Sequence, residues 1–269
     1  MYQPVEIKNA FQIKKLYTAF RHRYDSNYYF DGEYHNFWEF VAVTDGEIGV
    51  TAGSDVFVLK KGQAILHEPM EFHRLWSEGS TCPEIVIFSF AADNMPEYSS
   101  KLFELKSLSR PTEILSELRG AFEITAGTAI KIKDNNGLKH QLAVKQLEIF
   151  LMDTVSQKFE KNTVLKTRTA KNYNAIVTVL ENNVDKNLSV SDIAKMCNIS
   201  EINLKKTFSR YAGMGVIQYF NHIKITTAIG MIKSGTSVKE TAAALGFSNQ
   251  NYFSTVFKRV TGFSPTNYK

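Results

Sequence analysis

No apolar run in the 269 residues approaches the roughly 18 that a helical membrane span requires. The opening MYQPVEIKNAFQIKK lacks the apolar core and small-residue cleavage site of a secretory signal, so a cytoplasmic location is expected. Only two cysteines occur, Cys82 and Cys197, in separate regions and without metal-ligand or redox spacing. A phosphate-cradling P-loop, a Gly-x-Ser-x-Gly elbow and a His-Glu-x-x-His helix are all missing. No catalytic residue is assigned on these grounds, no cofactor is implied, and the chain is not expected to be an enzyme.

What is present is the composition of a globular protein, 43% hydrophobic and 22% charged, in a chain long enough for two cores. Its charge is unevenly spread. Residues 171–269 hold 12 Lys/Arg against 5 Asp/Glu, whereas residues 1–170 hold 20 against 22. The positive excess thus lies in the last third, as a phosphate-binding surface requires. On charge alone, a solvated basic face accounts for it equally well.

An amphipathic stretch at 11–24 leads into the aromatic run Tyr28-Tyr29-Phe30. From Asp31 the segments 38–44, 47–51, 55–59 and 84–90 are short and rich in Val, Ile and Phe. Turn signals separate them: Asp45-Gly46, Gly53-Ser54, Lys61-Gly62, Glu68-Pro69 and Gly79-Ser80. The pattern predicts a small antiparallel barrel or sandwich. From about Pro96 the periodicity turns helical. A helix is expected over 111–124, with Thr112 as cap and Ile114, Leu115, Leu118 and Phe122 on one face. A longer one is expected over 138–159, with Leu142, Ile149 and Met152 on one side and Val144, Leu147, Leu151 and Val155 on another. That surface is wider than one barrel face covers and suits a second copy of the chain, although intramolecular packing would also use it. The polar, basic stretch 160–172 reads as a linker. The expected division is 1–160, with its helical part from about 97, then a linker at 161–172 and a second domain at 173–269.

Two similar patterns stand in tandem after Leu188, SVSDIAKMCNISEINLKKTFSRYAG and TSVKETAAALGFSNQNYFSTVFKRVTG. Each has a Ser before a short helix, a tight turn, and a second helix bearing Phe and basic residues. Ser189 or Ser191 caps the first short helix; Ser200 caps the helix that follows. A connecting helix over 218–233 buries Phe220, Ile223, Ala228, Ile229 and Ile232. In the second helix of each pattern an i, i+4 pair forms the anchor, Leu204 with Phe208 and Phe253 with Phe257. The opposite faces then offer Ile202, Asn203, Lys205 and Lys206, and Gln250, Asn251, Ser254 and Thr255, to base edges of double-stranded DNA. Asn and Gln suit adenine, and Lys suits guanine. Ser200, Arg210, Asn249, Lys258 and Arg259 are placed on phosphates, where they set position and not sequence. Any single Asn or Gln could be plain surface, but the repeated layout makes that a poor account of the whole.

The last 95 or so residues resemble the AraC/XylS family of transcription regulators. The resemblance rests on Gly246-Phe247, Tyr252-Phe253, Phe257-Lys258, Gly262-Phe263-Ser264-Pro265 and Tyr268-Lys269, with Lys224 in the connecting helix where the family often has Arg. Two departures stand out: Thr241 in place of a usual Ile, and Gly215 in place of a Ser or Thr cap. The resemblance implies base readers at Ile202, Lys205, Lys206, Gln250, Asn251 and Thr255.

Upstream, HNFWEFVAVTDGEIGV, the Gly62 turn and HEPMEFH resemble the cupin-like sensor domain common in that family. The implied fold class is α+β: a cupin-like antiparallel β-barrel with appended helices, then an all-α domain with two helix-turn-helix motifs. Cupin enzymes hold metal through His and Glu, so His35, Glu39, His67 and His73 were weighed as ligands. His35-Asn36-Phe37 breaks the usual His pair, and the incomplete set argues against a metal. His35 and His73 then read as structural or ligand-contacting. The crowd of aromatics at Tyr28, Tyr29, Phe30, Tyr34, Phe37, Trp38, Phe72 and Trp76 suits a small organic effector such as a carbohydrate. Tyr28, His35, Trp38, Glu39, His73 and Trp76 are the candidate contacts. The expectation is a ligand-responsive, homodimeric DNA-binding regulator that acts as an activator, with RNA polymerase as a further partner. The competing readings are a ligand-independent regulator whose barrel only dimerises, and a cupin metalloenzyme with a DNA-binding tail.

Overall fold

The computed structural model describes residues 3, 5, 10–125, 129–133, 137–157 and 167–268. It divides into two compact units, one of residues 1–50 and 57–163, the other of residues 51–56 and 164–269. No helix among the described residues is long and apolar enough to cross a membrane.

The first unit is built on antiparallel strands. They are β1 (Gln12–Arg23), β2 (Trp38–Asp45), β3 (Glu47–Ala52), β4 (Asp55–Lys60), β5 (Gln63–His67), β6 (His73–Ser77), β7 (Glu84–Asp93) and β8 (Leu102–Glu104). Five form one sheet in the order β1-β7-β2-β5-β8, and three form another in the order β4-β3-β6. The amphipathic stretch at 11–24 is therefore a strand, so β structure begins well before Asp31. Two register shifts against β7, after Ile13 and after Leu16, break the alternation of β1 and hide its period of two from the sequence.

The helical region is interrupted in the same way. Helix α1 (Arg110–Ala121) starts at Ser109 with Pro111 in its first turn, so Thr112 lies inside the helix and is not its cap. It ends before Phe122, where the β-favouring Phe-Glu-Ile-Thr forms β9 (Phe122–Thr125) against β10 (Ala129–Ile132). Helix α2 (Gly137–Val155) is shorter than the sequence suggested.

Alternation divides the five-stranded sheet into two faces of different chemistry. Phe40 and Ala42 of β2, with Phe88 and Phe90 of β7, lie in the apolar core beneath Ile114, Leu118, Leu147, Phe150 and Leu151. Phe150 stands edge-on to Phe40, with ring centres 5.4 Å apart. Glu39 and Val41 point the other way. Glu148 is buried in α2 and accepts a hydrogen bond from the Ile13 amide at 2.8 Å, fixing the start of β1.

The helical unit holds α3 (Arg168–Glu181), α4 (Val190–Met196), α5 (Glu201–Ala212), α6 (Val216–Lys233), α7 (Val238–Ala244), α8 (Gln250–Thr261) and a closing 3₁₀ turn (Pro265–Tyr268). Helix α3 begins within the stretch expected to be a linker, and residues 161–166 of that stretch lie outside those described. The two halves follow the same local rules. Ser189 with Asp192, and Ser237 with Glu240, form reciprocal capping boxes at α4 and α7. The turns that follow need a left-handed residue, supplied by Asn198 (φ 53°) and Gly246 (φ 67°). A Cβ on Gly246 would also lie 2.2 Å from the Asp185 carbonyl oxygen, so glycine is required there twice over.

Helix α6 is shared, packing on α3 and α5 of one half and on α7, α8 and the 3₁₀ turn of the other. From it the buried Lys224 ammonium donates to the Lys186 carbonyl at 2.6 Å and the Leu245 carbonyl at 2.7 Å, one in each half. Burial pushes this ammonium down to about 8, against the pull of Asp185. The fully buried Thr241 hydroxyl has no hydrogen-bond partner among the described residues, which gives a physical cost to this departure from the family's Ile.

Two substitutions should therefore act in opposite directions in thermal or denaturant unfolding. Thr241→Val removes an unpaired buried hydroxyl and should stabilise by about 1 kcal/mol. Lys224→Met orphans two carbonyls and should destabilise by about 2 kcal/mol or more. A neutral Lys224→Met would show that the ammonium does not tie the halves together.

Candidate functional site

The two candidate reading helices are built alike. Each has 12 residues, an N-cap whose side chain accepts a backbone amide (Ser200 from Asn203, Asn249 from Tyr252), and a left-handed Gly after its end (Gly213, Gly262). In α5, Leu204, Thr207, Phe208 and Tyr211 are buried; in α8, Phe253, Val256 and Phe257 are. The remaining faces are solvent-exposed. On α5 they present Ile202, 78% exposed, with Asn203, Lys205, Lys206 and Arg210. On α8 they present Gln250, Asn251, Thr255, Lys258 and Arg259, all exposed.

Some expected roles need revision. Ser254 is half-buried and does not stand fully outward. The Thr255 hydroxyl donates to the Asn251 carbonyl at 3.0 Å, so its methyl is the freer contact. Asn249 and Ser200 spend their side-chain oxygens on caps, which leaves the Asn249 amide NH2 as its remaining group for a phosphate. Tyr252, 49% exposed beside these residues on α8, was not among the residues expected to face outward.

In the sheet unit, a polar row crosses the face opposite the helices. Backbone register sets Thr18 beside Ser89, Ser89 beside Glu39, and Glu39 beside His67. Thr18 Oγ1 and Ser89 Oγ are 2.6 Å apart, and the Ser89 hydroxyl donates to Glu39 Oε2 at 2.8 Å. A bridge between Glu33 and His73 brings a second carboxylate and an imidazole alongside. His73 Nε2 lies 3.4 Å from Glu39 and 3.6 Å from Glu33, and His35 Nε2 lies 3.7 Å from Glu39. His67 stacks on His73 at 4.4 Å and faces Glu71, which also pairs with Lys101.

Glu39 is held well below the usual carboxylate range: burial opposes ionisation, but His35 and His73 outweigh it. Burial also disfavours a charged His73, yet Glu33 and Glu39 push it up to about 10. Burial pushes His67 down. The result is a pocket of negative field around one spot. It opens on a cavity of about 280 Å³ whose walls include Tyr24, Tyr28, Phe30, Phe37, Leu75 and Ile87.

Of the expected effector contacts, Tyr28, Glu39 and His73 line this cavity, and His35 stands directly behind, with its ring on Phe37 at 3.8 Å. Trp38 is not there. As the neighbour of Glu39 in the strand it faces the other way, against the apolar core and Tyr98. Trp76 also lies elsewhere, donating to Glu78 and lying across Gly49, where no side chain would fit beneath it. Glu33 was missed. Its signal was the two-residue spacing to His35, which puts both on one side of an extended chain, but only histidine was sought there.

Residues 193–269 match a family described as a helix-turn-helix domain, and residues 16–147 match one described as an AraC-like ligand binding domain. The HTH-type transcriptional regulator YfiF of Bacillus subtilis is 25% identical over 242 residues, 86% of this chain and 76% of that protein. The transcriptional activator RhaR of Cronobacter sakazakii is 32% identical over 91 residues, 34% of this chain and 32% of that one. The MmsAB operon regulatory protein of Pseudomonas aeruginosa is 32% identical over 83 residues, 30% of this chain and 27% of that one. Among solved structures, ToxT of Vibrio cholerae aligns over 96% of both chains at 17% identity, with a TM-score of 0.38, too low to carry geometry across.

The capping role of Asn249 is open to direct measurement. Asn249→Ala should lower stability by about 1 kcal/mol, while Asn249→Ser should stay within a few tenths. Equal effects of the two would remove the cap from the account.

Proposed function

The chain belongs to the AraC family of helix-turn-helix transcription regulators, and from this we propose that it reads DNA through α5 and α8 in successive major grooves. The observation that carries the reading is the doubled construction: two capped helices, each with a buried Phe-containing anchor and an exposed polar face. Lys205, Lys206 and Ile202 form one reader, suited to guanine acceptors and a thymine methyl. Gln250, Asn251 and Thr255 form the other, suited to adenine. Arg210, Lys258 and Arg259 hold phosphates, with Ser200 and Asn249 at the helix starts where backbone amides also face the strand.

The cavity of the sheet unit is the place for the effector. Aromatic walls with carboxylates at one end suit a small molecule rich in hydroxyls, and a monosaccharide is the first class to test. Its binding alters DNA binding only as far as it prefers one arrangement of the protein over another. The chain acts as a cytoplasmic homodimer and an activator that meets RNA polymerase at the promoter, without catalysis of its own. Support for dimerisation comes from α2, where Leu138, Leu142 and Ile149 form an exposed apolar stripe opposite the buried Leu147 and Leu151.

Gel shifts on promoter fragments test the division of labour. Asn251→Ala or Lys206→Ala should relax preference at one base position and cost about 1–3 kcal/mol. Lys258→Ala should weaken all sequences alike and reduce the salt slope by about one ion. If both kinds of variant behave identically, readers and positioners are not distinct. In sedimentation, Leu142→Asp with Ile149→Asp should leave a folded monomer; a persistent dimer would place the interface elsewhere.

A further inference from the structure

We infer that Glu33, His35, Glu39 and His73 form a binding site for one divalent first-row transition metal ion. One ligand atom from each of the four lies within 4.8 Å of all the others. The argument rests on which atoms face one another. His35 Nδ1 is 2.9 Å from the Phe37 carbonyl oxygen and His73 Nδ1 is 3.3 Å from that of Glu71. A carbonyl can only accept, so each Nδ1 carries a hydrogen, and each Nε2 is the ring atom left to face either a proton or a metal ion.

Both Nε2 atoms are buried, have no hydrogen-bond partner among the described residues, and lie close to carboxylate oxygens. Such an arrangement needs a cation between nitrogen and oxygen, a proton or a metal ion. A proton on Nε2 would draw the pair together to about 2.7–2.9 Å, the length of a charge-assisted hydrogen bond. The separations here are 3.4, 3.6 and 3.7 Å. Two ligands each about 2.1 Å from a metal, at angles between square and tetrahedral, stand about 3.0–3.4 Å apart; the shortest gap falls at the upper end of that range and the other two are slightly wider, all nearer a coordination edge than a direct hydrogen bond.

The supporting groups are those a metal site needs. Backbone carbonyls orient both imidazoles, and the Ser89 hydroxyl, itself next to Thr18, holds Glu39. Two imidazoles with two carboxylates select Zn²⁺, Fe²⁺, Mn²⁺, Co²⁺ or Ni²⁺ over Ca²⁺ or Mg²⁺, whose sites use oxygen alone. Glu33 approaches from the solvent side, with its side chain 49% exposed, while His73 and Glu39 are buried. The ion would therefore face the aromatic cavity, where an effector oxygen could complete its shell.

The test uses the untagged full-length chain, stripped with chelator and titrated with Zn²⁺ alone by calorimetry and with Co²⁺ alone by visible absorption. One equivalent should bind, and Co²⁺ should develop the d–d bands of a nitrogen- and oxygen-ligated ion. Glu33→Gln, on the exposed side, should keep the fold and weaken binding about 10-fold or more; Ser89→Ala should weaken it about 10–100-fold. His73→Gln should abolish binding, and His67→Gln, a stacked neighbour outside the cluster, should leave the stoichiometry unchanged. Absence of stoichiometric binding by the folded wild type would overturn the proposal. So would wild-type affinity retained in both Glu33→Gln and Ser89→Ala.

Discussion

One buried ammonium fixes the spacing of the two candidate reading helices. Lys224 sits in the shared helix α6 and donates to a carbonyl from each helix-turn-helix half, with the Phe220 and Phe247 rings beside it at 4.7 and 5.1 Å. A buried charge in that position is tolerated because both carbonyls accept from it. The Gly246 turn, in contact with the Asp185 carbonyl, closes the same junction from the other side. Between them the halves have little freedom to slide. Helices α5 and α8 inherit that rigidity, which is what the proposed reading of two grooves in one register demands.

In the sheet unit the corresponding constraint is a buried carboxylate. The helix-covered face of the five-stranded sheet is filled with Phe, Val and Ala and could accept no charge. Glu39 belongs to the opposite face, where Thr18, Ser89, His35 and His73 surround it. A one-residue slip of β2 would exchange these environments, placing Glu39 in the apolar core and Phe40 in the polar row. The cluster therefore enforces strand register while it builds the floor of the cavity. Strand register and the candidate cavity depend on the same residues here.

Much of this was legible in advance, for identifiable reasons. The caps Ser189 and Ser200, the anchors Leu204/Phe208 and Phe253/Phe257, and the exposed side of α2 all follow from local patterns that tertiary context does not disturb. β1 was not legible, because its bulges spoil the alternation that marks a strand. The β9–β10 hairpin was absorbed into an apparent helix, since Phe122 falls in phase with Ile114, Leu115 and Leu118. Trp38 was placed in the cavity on composition alone, although its position next to Glu39 in a strand sends it to the other face. Glu33 was overlooked because its two-residue spacing to His35 is only half of the signal; the other half is the bridge to His73, some forty residues away.

The central claim is that one copy of the chain places two helices in two adjacent major grooves. Methylation interference on a bound operator tests it most directly, since dimethyl sulfate marks guanine N7 in the major groove and adenine N3 in the minor. The account predicts that each bound copy shows interference at guanines in two major-groove segments about one helical turn apart on the same face of the duplex. Interference confined to a single groove segment per copy, or to minor-groove adenines, would contradict it.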